Sequence, residues 1–237
     1  MTLKDTFSEK MPTVNIIETE DGSHSLFVPE LDETYHSSHG AVNESIHVFI
    51  KAGIEHFVAN NPGEKIRILE VGFGTGLNAL LTAQKASESA FQIEYHTLEA
   101  FPLDEDIVST LNYPEKIGGD NLEELFQEMH AQKWGKPFSL SKNMTMLKTH
   151  AKLQATTLED NAYDLVYFDA FAPSKQSDMW TLDVLKKVAD SIAPGGSLVT
   201  YCARGQFKRD LKALGLDVES LPGPPPKKEM VRASRTR

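Results

Sequence analysis

Three acidic residues at the ends of apolar runs are the side chains of this sequence best placed to do chemistry. Glu70 closes Ile66-Arg67-Ile68-Leu69 and leads into Val71-Gly72-Phe73-Gly74-Thr75-Gly76-Leu77-Asn78. Glu99 closes Ile93-Glu94-Tyr95-His96-Thr97-Leu98, and Asp169 closes Tyr163-Asp164-Leu165-Val166-Tyr167-Phe168. Glycine serves where the backbone takes a positive φ, or where a ligand must touch the main chain with no Cβ in the way. An acid followed by alternate glycines therefore describes a strand turning sharply into a helix around a small bound molecule. The spacing is GxGxG, not the GxGxxG that cradles a pyrophosphate. A carboxylate at the end of the next strand, Glu99, is placed to accept both hydroxyls of a ribose. Each acid taken alone is better explained as a helix cap; the order and spacing of all three count against that reading.

These residues need a scaffold, and the hydrophobic pattern supplies one. Strands are expected at 66–71, 93–98, 144–148, 164–169 and 197–202, with helices near 76–87, 103–110, 121–131, 178–191 and 205–214. Strands alternating with helices predict an α/β fold with a mostly parallel, doubly wound sheet. In such a sheet the ligand lies beyond the carboxyl ends of the strands, near the switch in strand order. Before the alternation, residues 14–19 and 26–28 flank the turn Asp21-Gly22-Ser23 as a peripheral hairpin, and residues 42–59 carry apolar side chains at helical spacing. Asn60-Asn61-Pro62-Gly63 ends that helix. After it, residues 216–220 and 229–233 form a closing antiparallel pair around the rigid Pro222-Gly223-Pro224-Pro225-Pro226. Ile192-Ala193-Pro194-Gly195-Gly196 is a helix end followed by a tight turn into a buried strand.

Composition bounds the rest. At 237 residues and 40% hydrophobic, the chain suits one domain with appendages. No apolar run approaches the roughly 20 residues that cross a bilayer, and Met1–Lys10 has no apolar segment of a secretory signal. The single cysteine, Cys202, excludes an internal disulfide and suits a reducing cytoplasm. It reads as a strand residue. The net charge of −10 argues against indiscriminate nucleic-acid binding. From Arg204 onward, however, nine Lys/Arg face four acids, a net of +5, so the remainder carries −15. A basic end on an acidic body permits a local phosphate contact without identifying one. His36 and His39 have no further ligands nearby, so no metal is expected.

The acidic lead with alternate glycines resembles motif I of class I S-adenosylmethionine methyltransferases, and Pro194-Gly195-Gly196 resembles the motif before their fifth strand. That resemblance spans about residues 64–202. A narrower one runs from about 33 to 232. Asp169-Ala170-Phe171-Ala172-Pro173-Ser174-Lys175-Gln176-Ser177-Asp178-Met179-Trp180 resembles the signature of MnmC-type tRNA methyltransferases. The glycine loop with its Phe73 and Asn78, Leu98-Glu99-Ala100-Phe101-Pro102-Leu103, Tyr35 through Phe49, and Gly223 through Met230 are similar to the same family.

The resemblance implies methylation of the exocyclic amine of 5-aminomethyl(-2-thio)uridine at the tRNA wobble position, with S-adenosylmethionine as cofactor. It implies residues 1–60 as an extension packing on the core and covering the cofactor mouth, and 61–237 as the methyltransferase domain. Cofactor contacts would fall to Tyr35, Glu70, Gly72, Phe73, Gly74, Thr75, Gly76, Asn78, Glu99, Ala100, Phe101 and Asp169. Asp169 would orient the amine and take its proton. Phe171, Pro173, Trp180 and Lys228 would meet the substrate base or its backbone, Trp180 by stacking if it does not simply pack the loop. Lys227, Lys228 and Arg232 would bind phosphates of the anticodon region. A chain ending at Arg237 has no room for the flavin oxidase fused to many relatives, so no oxidase activity is expected. Two positions depart from the family: His150-Ala151 stand where many relatives carry Gly-Asp for the adenine, and Ser177 replaces a proline. Transfer to a small-molecule amine, aminopropyl transfer, and a non-catalytic RNA-binding role are the competing readings.

Overall fold

The computed structural model describes residues 13–61, 63 and 65–237; the expectation for Met1–Lys10 lies outside them. A three-stranded antiparallel sheet comes first, β1 (Asn15–Glu18), β2 (His24–Val28) and the short β3 (Glu33–Thr34). A helix follows in three stretches, α1 (Ala41–Ser45), a π-helical stretch (Ile46–Glu55) and α2 (His56–Asn60). The alternating part then runs β4 (Lys65–Val71), α3 (Leu77–Ser87), β5 (Gln92–Glu99), α4 (Glu105–Val108), α5 (Tyr113–Ile117), α6 (Leu122–Ala131), β6 (Phe138–Ser141), β7 (Met144–His150), β8 (Tyr163–Phe168), α7 (Leu182–Ser191), β9 (Ile192–Thr200), α8 (Gly205–Ala213), β10 (Asp217–Pro222) and β11 (Glu229–Ser234). Short 3₁₀ turns occupy Leu153–Ala155 and Ser177–Trp180.

The large sheet has the order β10-β11-β9-β8-β4-β5-β7-β6. Its five central strands are parallel, while the edge pairings β6 with β7, β11 with β9 and β10 with β11 are antiparallel. The chain leaves β4 towards β5 and β7, then returns to the other side of β4 for β8 and β9. The strand order therefore reverses between β4 and β8, and their carboxyl ends open the crevice where such sheets bind ligands.

Both faces of the sheet are buried, which explains why its central strands read as continuous apolar runs. Along β4, Ile66 and Ile68 face one core layer and Leu69 and Val71 the other; β8 divides Leu165 and Tyr167 from Val166 and Phe168 in the same way. The first layer contains the helix of residues 41–60, with Phe49 packed on Tyr167 at 5.1 Å between ring centroids. That helix is built into the main core and is not a peripheral addition.

Three local expectations change. β9 begins at Ile192, five residues before the expected start, and ends at Thr200, leaving Cys202 buried just past the strand. Pro194-Gly195-Gly196 is an irregularity inside β9: its register jumps from Tyr163↔Ile192 to Leu165↔Ser197, so extra residues bulge without ending the pairing. The expected helix at 178–191 is a 3₁₀ turn followed by α7. The strands β3 and β6 and the helix α5 are too short to leave a periodic signal.

Candidate active site

The loops beyond β4, β5 and β8, with residues 31–39 and the turn before β11, enclose a cavity of about 440 Å³. Gly72 and Gly74 shape its floor. Gly72 has φ +93°, and a Cβ there would lie 2.5 Å from the carbonyl oxygen of Asp169, so the loops after β4 and β8 meet main chain to main chain. Gly74 has φ +51°, and its Cβ would press the Tyr35 ring at 3.1 Å. A side chain at either position would intrude on the space that the loop wraps.

Glu99, at the end of β5, is fixed from two directions. The Gly74 N–H donates to Oε2 and the Phe101 N–H to Oε1, both at 2.8 Å. Each oxygen keeps a second lone pair for a ligand. Asp169, at the end of β8, accepts a 2.8 Å hydrogen bond at Oδ2 from the Asn78 side-chain amide on α3. Burial pushes the Asp169 carboxyl up to about 7, even though Asn78 favours its ionised form. Tyr35 stands edge-on to Phe171 with ring centroids 5.2 Å apart, and burial raises its phenol above the ordinary range.

Of the expected site residues, Tyr35, Gly72, Phe73, Gly74, Thr75, Asn78, Glu99, Ala100, Phe101, Asp169 and Phe171 line this cavity. Glu70 does not. Its even position on β4 turns the carboxyl into the layer of Tyr95, Thr97 and Asn78, where it is fully buried and neither oxygen has a hydrogen-bond partner of good geometry. Burial holds it well above the usual carboxylate range. Gly76 is the left-handed cap of α3 and faces His130 below the loop. Pro173 also lies off the wall.

Of the two roles expected for Trp180 the structure has the packing one. It is buried against Phe168 and Phe207, and its Nε1–H donates to the Phe171 carbonyl at 2.8 Å, so it fastens the loop from outside the cavity wall and is not placed to meet the substrate base. Lys228 is exposed outside the cavity, and it is Lys227 that lines the wall. Arg232 is held by Glu219 at 2.8 Å and is mostly buried, which removes it from phosphate binding.

His36 and His39, expected as loop residues of the cofactor mouth, line the cavity, and the sequence reading left unassigned Glu44, Tyr201 and Gln154, also on its wall. Glu44 did leave a signal, an acid on the apolar face of an otherwise buried helix. His36 is buried and neutral, pushed down to about 4 chiefly by burial. At the departure His150-Ala151, the Ala151 N–H donates to the Glu99 carbonyl; at this edge the cavity is also lined by Lys152, its ammonium 5.9 Å over the Phe101 ring, and by Gln154, whose amide donates to Asp178 at 2.6 Å. Behind Phe73 the Lys148 ammonium lies 4.9 Å over the Trp134 ring and donates to the His130 carbonyl; burial lowers it to about 8. Among the described residues no cluster of three or more His, Cys, Asp or Glu is arranged to hold a metal ion, and no helix is long and apolar enough to cross a membrane.

A bare glycine cradle, a fixed carboxylate at the second strand end and an aromatic wall fit an adenosyl group carrying an amino-acid tail. Comparison with known proteins bears on this fit. A family model described as S-adenosyl-L-methionine-dependent methyltransferase matches residues 120–236. The tRNA 5-methylaminomethyl-2-thiouridine biosynthesis bifunctional protein MnmC of Cupriavidus necator is 29% identical over 223 residues, 88% of this chain and 32% of that protein. The protein of the same name from Pseudomonas aeruginosa PAO1 is 31% identical over 208 residues, 84% of this chain and 32% of its own length. The crystal structure of MnmC2 from Aquifex aeolicus superimposes with a TM-score of 0.74 at 25% identity, covering 95% of this chain and 71% of that one. The chain is similar to S-adenosyl-L-methionine-dependent methyltransferases of the MnmC type. It spans about a third of the length of these curated relatives. The methyltransferase thus uses S-adenosylmethionine, and the cavity residues fit that cofactor on chemical grounds independent of the family.

Proposed function

We propose that this methyltransferase transfers a methyl group to the aminomethyl nitrogen of 5-aminomethyl(-2-thio)uridine at the wobble position of tRNA. The observation that carries the reading is Asp169, a buried carboxyl at the crevice with a proton affinity near neutrality, held by Asn78 beside the glycine cradle. The names of the relatives point to the same substrate class.

When bound, S-adenosylmethionine supplies a methyl group on a sulfonium, open to attack by a lone pair. The chain's own residues then have three tasks. Glu99 receives the ribose hydroxyls, the main chain of Gly72 to Thr75 receives the amino-acid end, and Gln154 with the Ala151 backbone meets the adenine. An alkyl amine such as lysine titrates near about 10.4 in water, so its protonated form must be relieved of a proton before it can act. Asp169 performs that role: Asn78 occupies Oδ2, leaving Oδ1 to accept the amine's hydrogen bond and then its proton. A carboxyl poised near 7 is matched to such a base, since base strength and the ionised fraction must both be adequate at working pH. Placement of the amine supplies most of the remaining acceleration, and the Tyr35–Phe171 pair limits how the base enters. Residues 13–60 provide the cover of the cofactor mouth through the 31–39 segment.

Purified protein, labelled S-adenosylmethionine and tRNA from cells that stop at 5-aminomethyluridine test the proposal. Label should appear in the wobble nucleoside as the methylaminomethyl form and disappear in Asp169→Ala. Good cofactor binding with no transfer to that tRNA would overturn it in favour of a small-molecule amine.

A further inference from the structure

An ion pair, Glu44 with Lys227, is built into the cavity wall. Glu44 projects from α1 and Lys227 from the turn between β10 and β11, 183 residues apart in sequence, and the ammonium donates to Glu44 Oε1. The Ser37 N–H fixes Glu44 Oε2 at 2.8 Å. Lys227 is held by its own N–H donating to the Pro224 carbonyl at 2.8 Å, and its ammonium lies 4.0 Å over the Tyr201 ring. Tyr201 in turn donates through its hydroxyl to the carbonyl of Ala170, the residue after Asp169, at 2.8 Å. The contacts therefore run in a fixed order along one wall: Asp169 and Ala170, Tyr201, Lys227, Glu44. Glu44 is buried to 7% exposure, which is costly for an acid unless its ionised form is paired.

A cation followed by a carboxylate presents a donor and then an acceptor. Around a uracil ring, the groups after a C5 substituent are the C4 carbonyl, an acceptor, and N3–H, a donor. The order matches, with the C5 aminomethyl group at Asp169, the C4 carbonyl at Lys227 and N3–H at Glu44. Enzymes that act on an extruded base read its Watson–Crick edge by such hydrogen bonds while aromatic groups hold its faces. We propose that the Glu44–Lys227 pair is the specificity element that reads the imide edge of the substrate uracil. This inference rests on the functional reading above. Cytosine reverses both groups, with an amino donor at C4 and a bare N3 acceptor, and would meet two mismatches.

Anticodon stem-loops carrying 5-aminomethyluridine or 5-aminomethylcytidine at the wobble position provide the test, read by binding without cofactor and by methyl transfer with it. Wild-type protein should prefer the uridine by on the order of 100-fold, the span of a well-formed bidentate base contact. Glu44→Gln, which keeps an acceptor for Ser37, and Lys227→Met should each bring the ratio to within about tenfold. Both variants should keep wild-type S-adenosylmethionine affinity, which separates lost recognition from lost folding. A pair that merely clasps the hairpin would lower both substrates equally and leave the ratio unmoved, and that result would overturn the inference. Preference for uridine in binding, lost in both variants but with no methyl transfer from wild type, would support the edge recognition while sinking the reaction assigned to it.

Discussion

In the proposed mechanism the bond from Asn78 to Asp169 sets the pH at which the enzyme can work, and Asn78→Ala isolates it. In the folded protein burial raises the Asp169 carboxyl to about 7, and the 2.8 Å amide donor is the main group restraining that rise. Hydrogen bonds to a charged group contribute roughly 1.5–3 kcal/mol. At about 1.4 kcal/mol per pH unit, losing this one moves the titration up by about one to two pH units. Asp169 must be ionised to take the amine's proton, so activity falls as pH drops through that titration. For wild type, kcat/KM should therefore climb to a plateau through a limb near pH 7. For the variant the limb should stand about one to two units higher, leaving roughly 5- to 50-fold less activity at pH 7 but far less difference at pH 9. Stopped-time transfer of labelled methyl to 5-aminomethyluridine tRNA between pH 5.5 and 9.5 measures both curves, with cofactor affinity followed by calorimetry. A wild-type profile flat below pH 8 would refute the reasoning. So would a variant that loses the same factor at every pH.

Glu99→Ala removes the acceptor of two backbone N–H groups and the carboxylate offered to the ribose, so calorimetry should show S-adenosylmethionine affinity falling by about 100-fold, at about 1.5–3 kcal/mol for a charged hydrogen bond. Glu70 has its folded titration raised by burial, so native protein holds a proton that the unfolded chain releases above its ordinary range. Stability should then decline as pH rises from about 4.3 towards the folded titration, and Glu70→Gln should flatten that decline in thermal unfolding curves. Trp180→Ala should cost about 3–5 kcal/mol in denaturant unfolding as a large buried aromatic is lost, whereas Trp180→Phe should keep most of the stability and raise KM through the freed Phe171 carbonyl. Asp164→Ala breaks the ion pair and the backbone contact with Arg67 that join β4 to β8 at the far end of the sheet, so unfolding free energy should drop by about 1–3 kcal/mol while cofactor affinity holds.

Much of this molecule could be read from local pattern. The five central strands and the helices between them follow from the spacing of apolar residues, because strand and helix periodicities are properties of a few neighbouring positions. The glycine loop, Glu99 and Asp169 were legible for the same reason: each sits at the end of an apolar run, and a parallel sheet brings all its strand ends to one edge. What misled the reading was direction. Glu70 belongs to the same motif as Gly72, yet the alternation of side chains along β4 turns it into the core. Trp180 lies in the same string as Phe171, yet packing against Phe168 and Phe207 takes it off the wall.

The sequence alone determined the alternation of elements, the cradle and the two acids at its rim, since short stretches of chain encode them. Only the tertiary structure decided which strand lies beside which, that the extra residues of Pro194-Gly195-Gly196 bulge inside β9, and that Lys227 rather than Lys228 faces the cavity. It also brought Glu44 to Lys227 across 183 positions. The physical reason is that an ion pair between distant segments leaves no local trace. It forms because the π-helical segment packs beneath the sheet while the last hairpin pairs with β9, and both outcomes depend on burying the whole core at once.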